Sequence, residues 1–137
     1  MSMSRQEMEE FLSQAHIARI ATVKRDGSPH VAPVWFLWES GELIIVTYAD
    51  SLKVKNLKHD DRVAVVIDIS DPGKGVIIEG EAEISTDRIE EMMRKVSAKY
   101  VKPEELDDYL ESLLKVSMLV IGVKPKKIIT WDYSKGE

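Results

Sequence analysis

The chain has 137 residues, 44% of them hydrophobic and 31% charged, a size and balance that predict one globular domain over 1–137 with a buried core. Having no cysteine excludes disulfides, thiolate catalysis and cysteine-held metals, three scattered histidines argue against a metal site, and a formal charge of −5 argues against a nucleic-acid binder. No run of about 18 apolar residues occurs, and the start MSMSRQEMEE is polar and acidic, so a soluble, cytoplasmic protein with no membrane partner is expected.

Ser4 is placed to cap a helix whose apolar residues Met8, Phe11, Leu12 and Ala15 recur at helical spacing. From Ile17 the pattern changes to short β-rich runs over 17–24, 30–38 and 43–48. Arg25-Asp26-Gly27-Ser28 and Glu39-Ser40-Gly41-Glu42 separate them, and two glycine-containing turns between such runs predict a three-stranded meander. A short helix is expected within 50–61, then a β-branched strand over 63–69 and a turn over 71–75. The next strand alternates Val76, Ile78, Gly80, Ala82 and Ile84 with Ile77, Glu79, Glu81 and Glu83, giving one buried and one wet face.

Two helices follow. Thr86-Asp87 opens the first, with Ile89, Met92, Met93, Val96 and Tyr100 on one face; Pro103 opens the second, with Leu106, Tyr109, Leu110, Leu113 and Leu114. Both read as packing faces. Runs over 118–123 and 128–131, split by Pro125, predict a last pair of strands. About seven short strands with three or four helices make the fold mainly β with flanking helices, an antiparallel barrel with helices packed outside.

The stretch that carries chemistry is Val46-Thr47-Tyr48-Ala49-Asp50-Ser51-Leu52-Lys53-Val54-Lys55-Asn56-Leu57, a strand running into a helix start. Unpaired backbone N–H groups at such a start accept an anion, and Ser51 and Lys53 add a hydroxyl and a positive charge. The same pattern suits an ordinary N-cap followed by a solvated lysine face, and the residues alone leave both readings open. Arg19, inside an apolar strand, must reach the surface or find a partner, with a cofactor phosphate as one candidate. Glu79-Gly80 is a place where glycine permits close approach to a ring. His16, His30 and His59 lack any acid or nucleophile at a telling spacing, and no catalytic residue is assigned.

The order ARIATVKRDGSPHVAPVWFLW, ELIIVTYADSLKVKNLKHDDRVAVVID and GVIIEGEAEI resembles the pyridoxamine 5′-phosphate oxidase-related flavin-binding split-barrel family over roughly 17–84, and TWD at Trp131 fits the same pattern. The most specific likeness is the junction Ser51-x-Lys53 with Asn56-Leu57, and Asp26-Gly27-x-Pro29 upstream. The resemblance implies an antiparallel split β-barrel that binds FMN, with Thr47, Ser51 and Lys53 on the phosphate and ribityl chain. It also implies that the strand through Val34, Trp35 and Phe36 lies along the isoalloxazine ring, and that a homodimer holds the cofactor site at its interface. The activity it implies is that of an oxidoreductase acting on a small molecule; a deazaflavin coenzyme in place of FMN, or a flavin carrier or sensor without turnover, are the alternatives. Members that oxidise pyridoxamine phosphate carry a basic residue near the end of the second strand and basic and aromatic residues at the C-terminus. Here the strand reads Val34-Trp35-Phe36-Leu37-Trp38 and the tail Trp131-Asp132-Tyr133-Ser134-Lys135-Gly136-Glu137, so a different substrate is expected.

Overall fold

A computed structural model of the protein describes residues 2–136. Its first element, α1 (Arg5–Leu12), begins as expected: the Ser4 hydroxyl accepts the Glu7 N–H at 3.1 Å, and the Glu7 carboxylate accepts the Ser4 N–H at 2.8 Å. Met8, Phe11 and Leu12 are buried. The helix stops at Leu12, so Ala15 lies beyond it on an exposed loop rather than on its apolar face.

Seven strands follow: β1 (Ala18–Val23), β2 (Pro29–Val34), β3 (Leu37–Glu39), β4 (Glu42–Tyr48), β5 (Arg62–Ser70), β6 (Gly73–Ser85) and β7 (Met118–Asp132). Helix α2 (Leu52–His59) joins β4 to β5, and α3 (Ile89–Ser97) with α4 (Pro103–Leu113) joins β6 to β7. All pairings are antiparallel in the order β2-β1-β5-β6-β7-β4-β3. The two ends of that order, β2 and β3, do not pair, so the sheet curls without closing: a split barrel, mainly β with four flanking helices.

The expected meander is not what forms. The run over 30–38 breaks at Trp35-Phe36, sending β2 to β1 and β3 to β4 at opposite ends of the strand order. Phe36 buries its side chain completely in the core while Trp35 stacks on Tyr100 and leans toward Tyr109, and the backbone of these two residues pairs with no neighbouring strand. The expected final pair of strands is one continuous strand. Pro125 is tolerated because it sits at a bulge: Gly80 faces Pro125 and Glu79 faces Lys127, leaving Lys126 as the extra residue. A Cβ on Gly80 would fall 2.0 Å from the Lys124 carbonyl oxygen, so glycine here admits the β7 backbone and not a cofactor ring.

The core gathers Ile20, Phe36, Leu43, Ile45, Ile67, Ile78 and Ile121 from the strands, Met8, Phe11 and Leu12 from α1, and Val54 and Leu57 from α2. Helix α3 buries Met92, Met93 and Val96, whereas in α4 only Leu110 is buried, and Leu114 lies past the helix end, 62% exposed. The cap of α3 is Arg88 in a left-handed conformation, not Thr86-Asp87, and Tyr100 falls after the helix. Arg19 is exposed and pairs with Asp68 at 3.6 Å. Among the described residues no helix is long and apolar enough to cross a membrane.

Candidate functional site

The junction between β4 and α2 is fixed from beneath. Val54 and Leu57 insert into the core, and the buried Asn56 side-chain amide donates to the buried Thr22 hydroxyl at 3.0 Å, locking the helix onto β1. With α2 held this way its N-terminus faces the end of β4. Ser51 occupies the N-cap with extended backbone (φ −67°, ψ 155°), yet its hydroxyl caps nothing; its oxygen is buried and has no hydrogen-bond partner. The first turn of α2 carries no acidic residue. Lys53, one step inside, forms no ion pair among the described residues and is half-buried, and burial pushes its ammonium below the ordinary lysine range. An unpaired, partly desolvated cation beside an orphaned hydroxyl and a helix N-terminus is a place that favours an anion.

Lys53 opens onto a cleft of about 250 Å³ and, among the described residues, is the only charged one lining it. Val34 at the end of β2, Trp35 just beyond it, and Thr47 and Tyr48 at the end of β4 form one wall. The facing wall comes from α3 and α4, through Met93, Val96, Ser97, Tyr109 and Leu113. The Trp35 ring stacks on Tyr100, centroids 4.6 Å apart and 7° from parallel, and leans toward Tyr109 at 5.7 Å. The cleft thus has a cationic end at α2 and an aromatic, apolar body. Nothing in its lining forms an acid–base pair, and among the described residues no cluster suits a metal ion.

Of the residues singled out in the sequence, the structure brings Val34, Trp35, Thr47 and Lys53 to this one cleft. Ser51 stands at the helix start two residues from Lys53 without lining it. Phe36 points its side chain into the core, where it is fully buried, and β2 ends at Val34, so no strand runs through 34–36. His16 stacks on Phe11 at 4.5 Å, and burial holds it below the ordinary histidine range, with the charges of Lys99 and Lys74 adding to the shift. The α3–α4 wall was legible only as packing faces. Its polar members Ser97 and Tyr109, set on otherwise apolar helix faces, are the signal that it borders something else.

The sequence-family model for pyridoxamine 5′-phosphate oxidase matches residues 4–132. Among solved structures, a conserved hypothetical protein from Mycobacterium tuberculosis superposes with a TM-score of 0.78 at 26% identity, covering 97% of this chain and 87% of that one. A protein described as an F420 reductase gives 0.70 at 24% identity over 88% of this chain and 94% of its own. An FAD-binding protein from Mesorhizobium loti gives 0.68 at 18% identity over 95% of both chains.

Proposed function

The chain belongs to the pyridoxamine 5′-phosphate oxidase family, and from that premise we propose that it is an FMN-binding oxidoreductase acting on a small molecule other than pyridoxamine phosphate. The observation that carries the reading is Lys53: a half-buried cation with no partner among the described residues, at a helix N-terminus beside the orphaned Ser51 hydroxyl, opening onto an aromatic cleft. These residues fit the phosphate of FMN. In this reading Lys53, Ser51 and the first N–H groups of α2 hold the phosphate, Thr47 meets the ribityl chain, and Val34 and Trp35 border the ring. Bound FMN would supply hydride and electron transfer. The chain's own part is to orient the ring between two walls and to keep water from it; the lining supplies no acid–base pair.

A second copy of the chain completes the site. Tyr48, Leu52 and Val116 are large apolar residues 49%, 44% and 43% exposed. Tyr48 lines the cleft and Leu52 opens the helix that carries Lys53. Val116 precedes Ser117, whose carbonyl accepts the Ala49 N–H at 3.0 Å. Apolar exposure at Tyr48 in the cleft, and at Leu52 and Val116 in segments joined to it, supports a homodimer with the site at its interface. Light scattering should give twice 15.5 kDa at micromolar protein; a monomer would remove the shared site.

The deazaflavin coenzyme is the second reading, favoured by the likeness to the F420 reductase. Both cofactors join a flat ring to a phosphorylated ribityl chain. The visible spectrum after titrating the purified protein separates them, since bound FMN absorbs in two bands and a deazaflavin in one at shorter wavelength. Anaerobic mixing with nicotinamide or deazaflavin donors then tests turnover: bleaching of the bound flavin supports a reductase, and a flavin that no donor bleaches supports the carrier or sensor alternative.

A further inference from the structure

The walls of the cleft come from parts of the chain that share no sheet hydrogen bond, and something must set their separation. On one side the link Trp35-Phe36 has left β2 and not yet entered β3, so its backbone polar groups have no ladder partner. Two consecutive side chains from the α3–α4 connector supply the partners. The Phe36 N–H donates to the Tyr100 hydroxyl at 3.3 Å, and the Lys99 ammonium donates to the Phe36 carbonyl at 2.8 Å while lying 3.7 Å from the centre of the Phe36 ring.

The same two side chains reach a third segment. Lys99 also donates to the carbonyl of Leu12, the last residue of α1, at 3.2 Å, and the Tyr100 hydroxyl donates to the His16 carbonyl at 2.6 Å. The Tyr100 ring is the surface on which Trp35 stacks. The connector is itself stiff, since the N–H groups of Lys99, Tyr100 and Val101 all bond back to the last turn of α3. On either side of it lie the helices that present Met93, Val96 and Tyr109 to the cleft.

We propose that Lys99 and Tyr100 are positioning residues that set the width of the cofactor cleft, fixing Trp35 on one wall relative to the α3–α4 wall opposite. The inference rests on the flavin-binding reading of the cleft for its functional consequence, and on the bonds to Phe36 for its structural one. Neither side chain lines the cleft. They act through Trp35 and Phe36, which is why patterning of apolar residues does not reveal them.

The test uses the full chain labelled with 5-fluorotryptophan, whose three tryptophans give three fluorine resonances, that of Trp35 assigned by Trp35→Phe. Tyr100→Phe keeps the stacked ring and deletes the hydroxyl bonds; Lys99→Met keeps the stem and deletes the ammonium. In the ligand-free protein each variant should shift or broaden the Trp35 resonance and leave that of Trp131, whose ring lies against Gly75, in place. Titration with FMN should then give a dissociation constant raised about three- to thirtyfold, a loss in the range expected for one or two hydrogen bonds. Lys99→Arg, which can still donate to both carbonyls, should restore most of it. An unmoved Trp35 resonance in both variants overturns the proposal, and so does a moved resonance with FMN affinity within about twofold of wild type. If wild-type protein binds neither FMN nor a deazaflavin, the functional reading fails; the Trp35 resonance still decides whether the two residues set the wall.

Discussion

Replacing Lys53 with methionine should move ligand affinity and protein stability in different directions. The methionine stem keeps the contacts of the lysine methylenes, so the change deletes little besides the charge. Lys53 pairs with no carboxylate among the described residues, and burial already disfavours its ammonium, so the ligand-free fold loses no attractive partner when it goes. Its urea midpoint should match or slightly exceed that of wild type, within the roughly 0.5 kcal/mol typical of substitutions away from the core. FMN binding should suffer far more. One charge-assisted contact with a phosphate contributes on the order of 1.5–3 kcal/mol, which corresponds to a dissociation constant raised roughly tenfold to more than a hundredfold. Fluorescence titration of the apo-protein measures the second quantity and urea denaturation the first. Unchanged FMN affinity refutes the phosphate assignment. A large fall in ligand-free stability would mean that Lys53 is paired in solution and its charge is structural.

Further consequences can be measured independently. Gly80→Ala should lose at least about 1–3 kcal/mol of stability by overpacking, because the new methyl meets the Lys124 carbonyl oxygen and must push β6 and β7 apart at the bulge; a urea midpoint equal to wild type would refute the close approach. Asn56→Ala strands the buried Thr22 hydroxyl and should cost about 1–3 kcal/mol, with FMN affinity falling as α2 loses its anchor; retention of both stability and affinity would show that the bond does not orient the helix. Burial lowers the Lys99 pKa from 10.5 to about 8, so between these values the unfolded chain binds the extra proton. The stability that Lys99 contributes therefore rises with pH across that window and is least below about 8. The wild-type advantage over Lys99→Met in urea midpoint should accordingly grow between about pH 7 and about pH 9.5, and a constant or shrinking difference would refute the assignment.

Local rules carried the sequence reading far for elements whose neighbours are near in the chain. The capping box at Ser4, the turn at Asp26-Gly27, the Lys53 helix and the proline start of α4 all formed where side-chain chemistry placed them. The misreadings share a cause. An apolar run such as 30–38 does not record which strand lies alongside, so a link that crosses from one end of the sheet to the other looks like an uninterrupted strand. Pro125 looked like a break because the compensating glycine, Gly80, lies on another strand and is brought opposite only by the register of β6 with β7. The cleft was half legible for the same reason. Its cationic end is contiguous in sequence, from Thr47 to Lys53, while its facing wall arrives from residues 93–113 with the ordinary periodicity of a packing helix.

That division of the cleft bears on which substrates it accepts. The sheet and α2 build the end with a cation, and α3 with α4 build an apolar, aromatic wall from Met93, Val96, Tyr109 and Leu113. If Lys53 holds the FMN phosphate as proposed, no second cation among the described residues lines the cleft of one chain to receive a substrate phosphate. The binding energy that would orient a phosphorylated vitamin over the ring is absent, and both turnover and apparent affinity should suffer together. Pyridoxamine and pyridoxine phosphates should therefore be turned over negligibly with FMN saturated, whereas bleaching of the flavin by a nicotinamide or deazaflavin donor needs only access to the ring. Steady-state oxidase assays with each phosphate at millimolar concentration measure the first. Turnover on the order of 1–10 per second would refute the reasoning from the missing second cation.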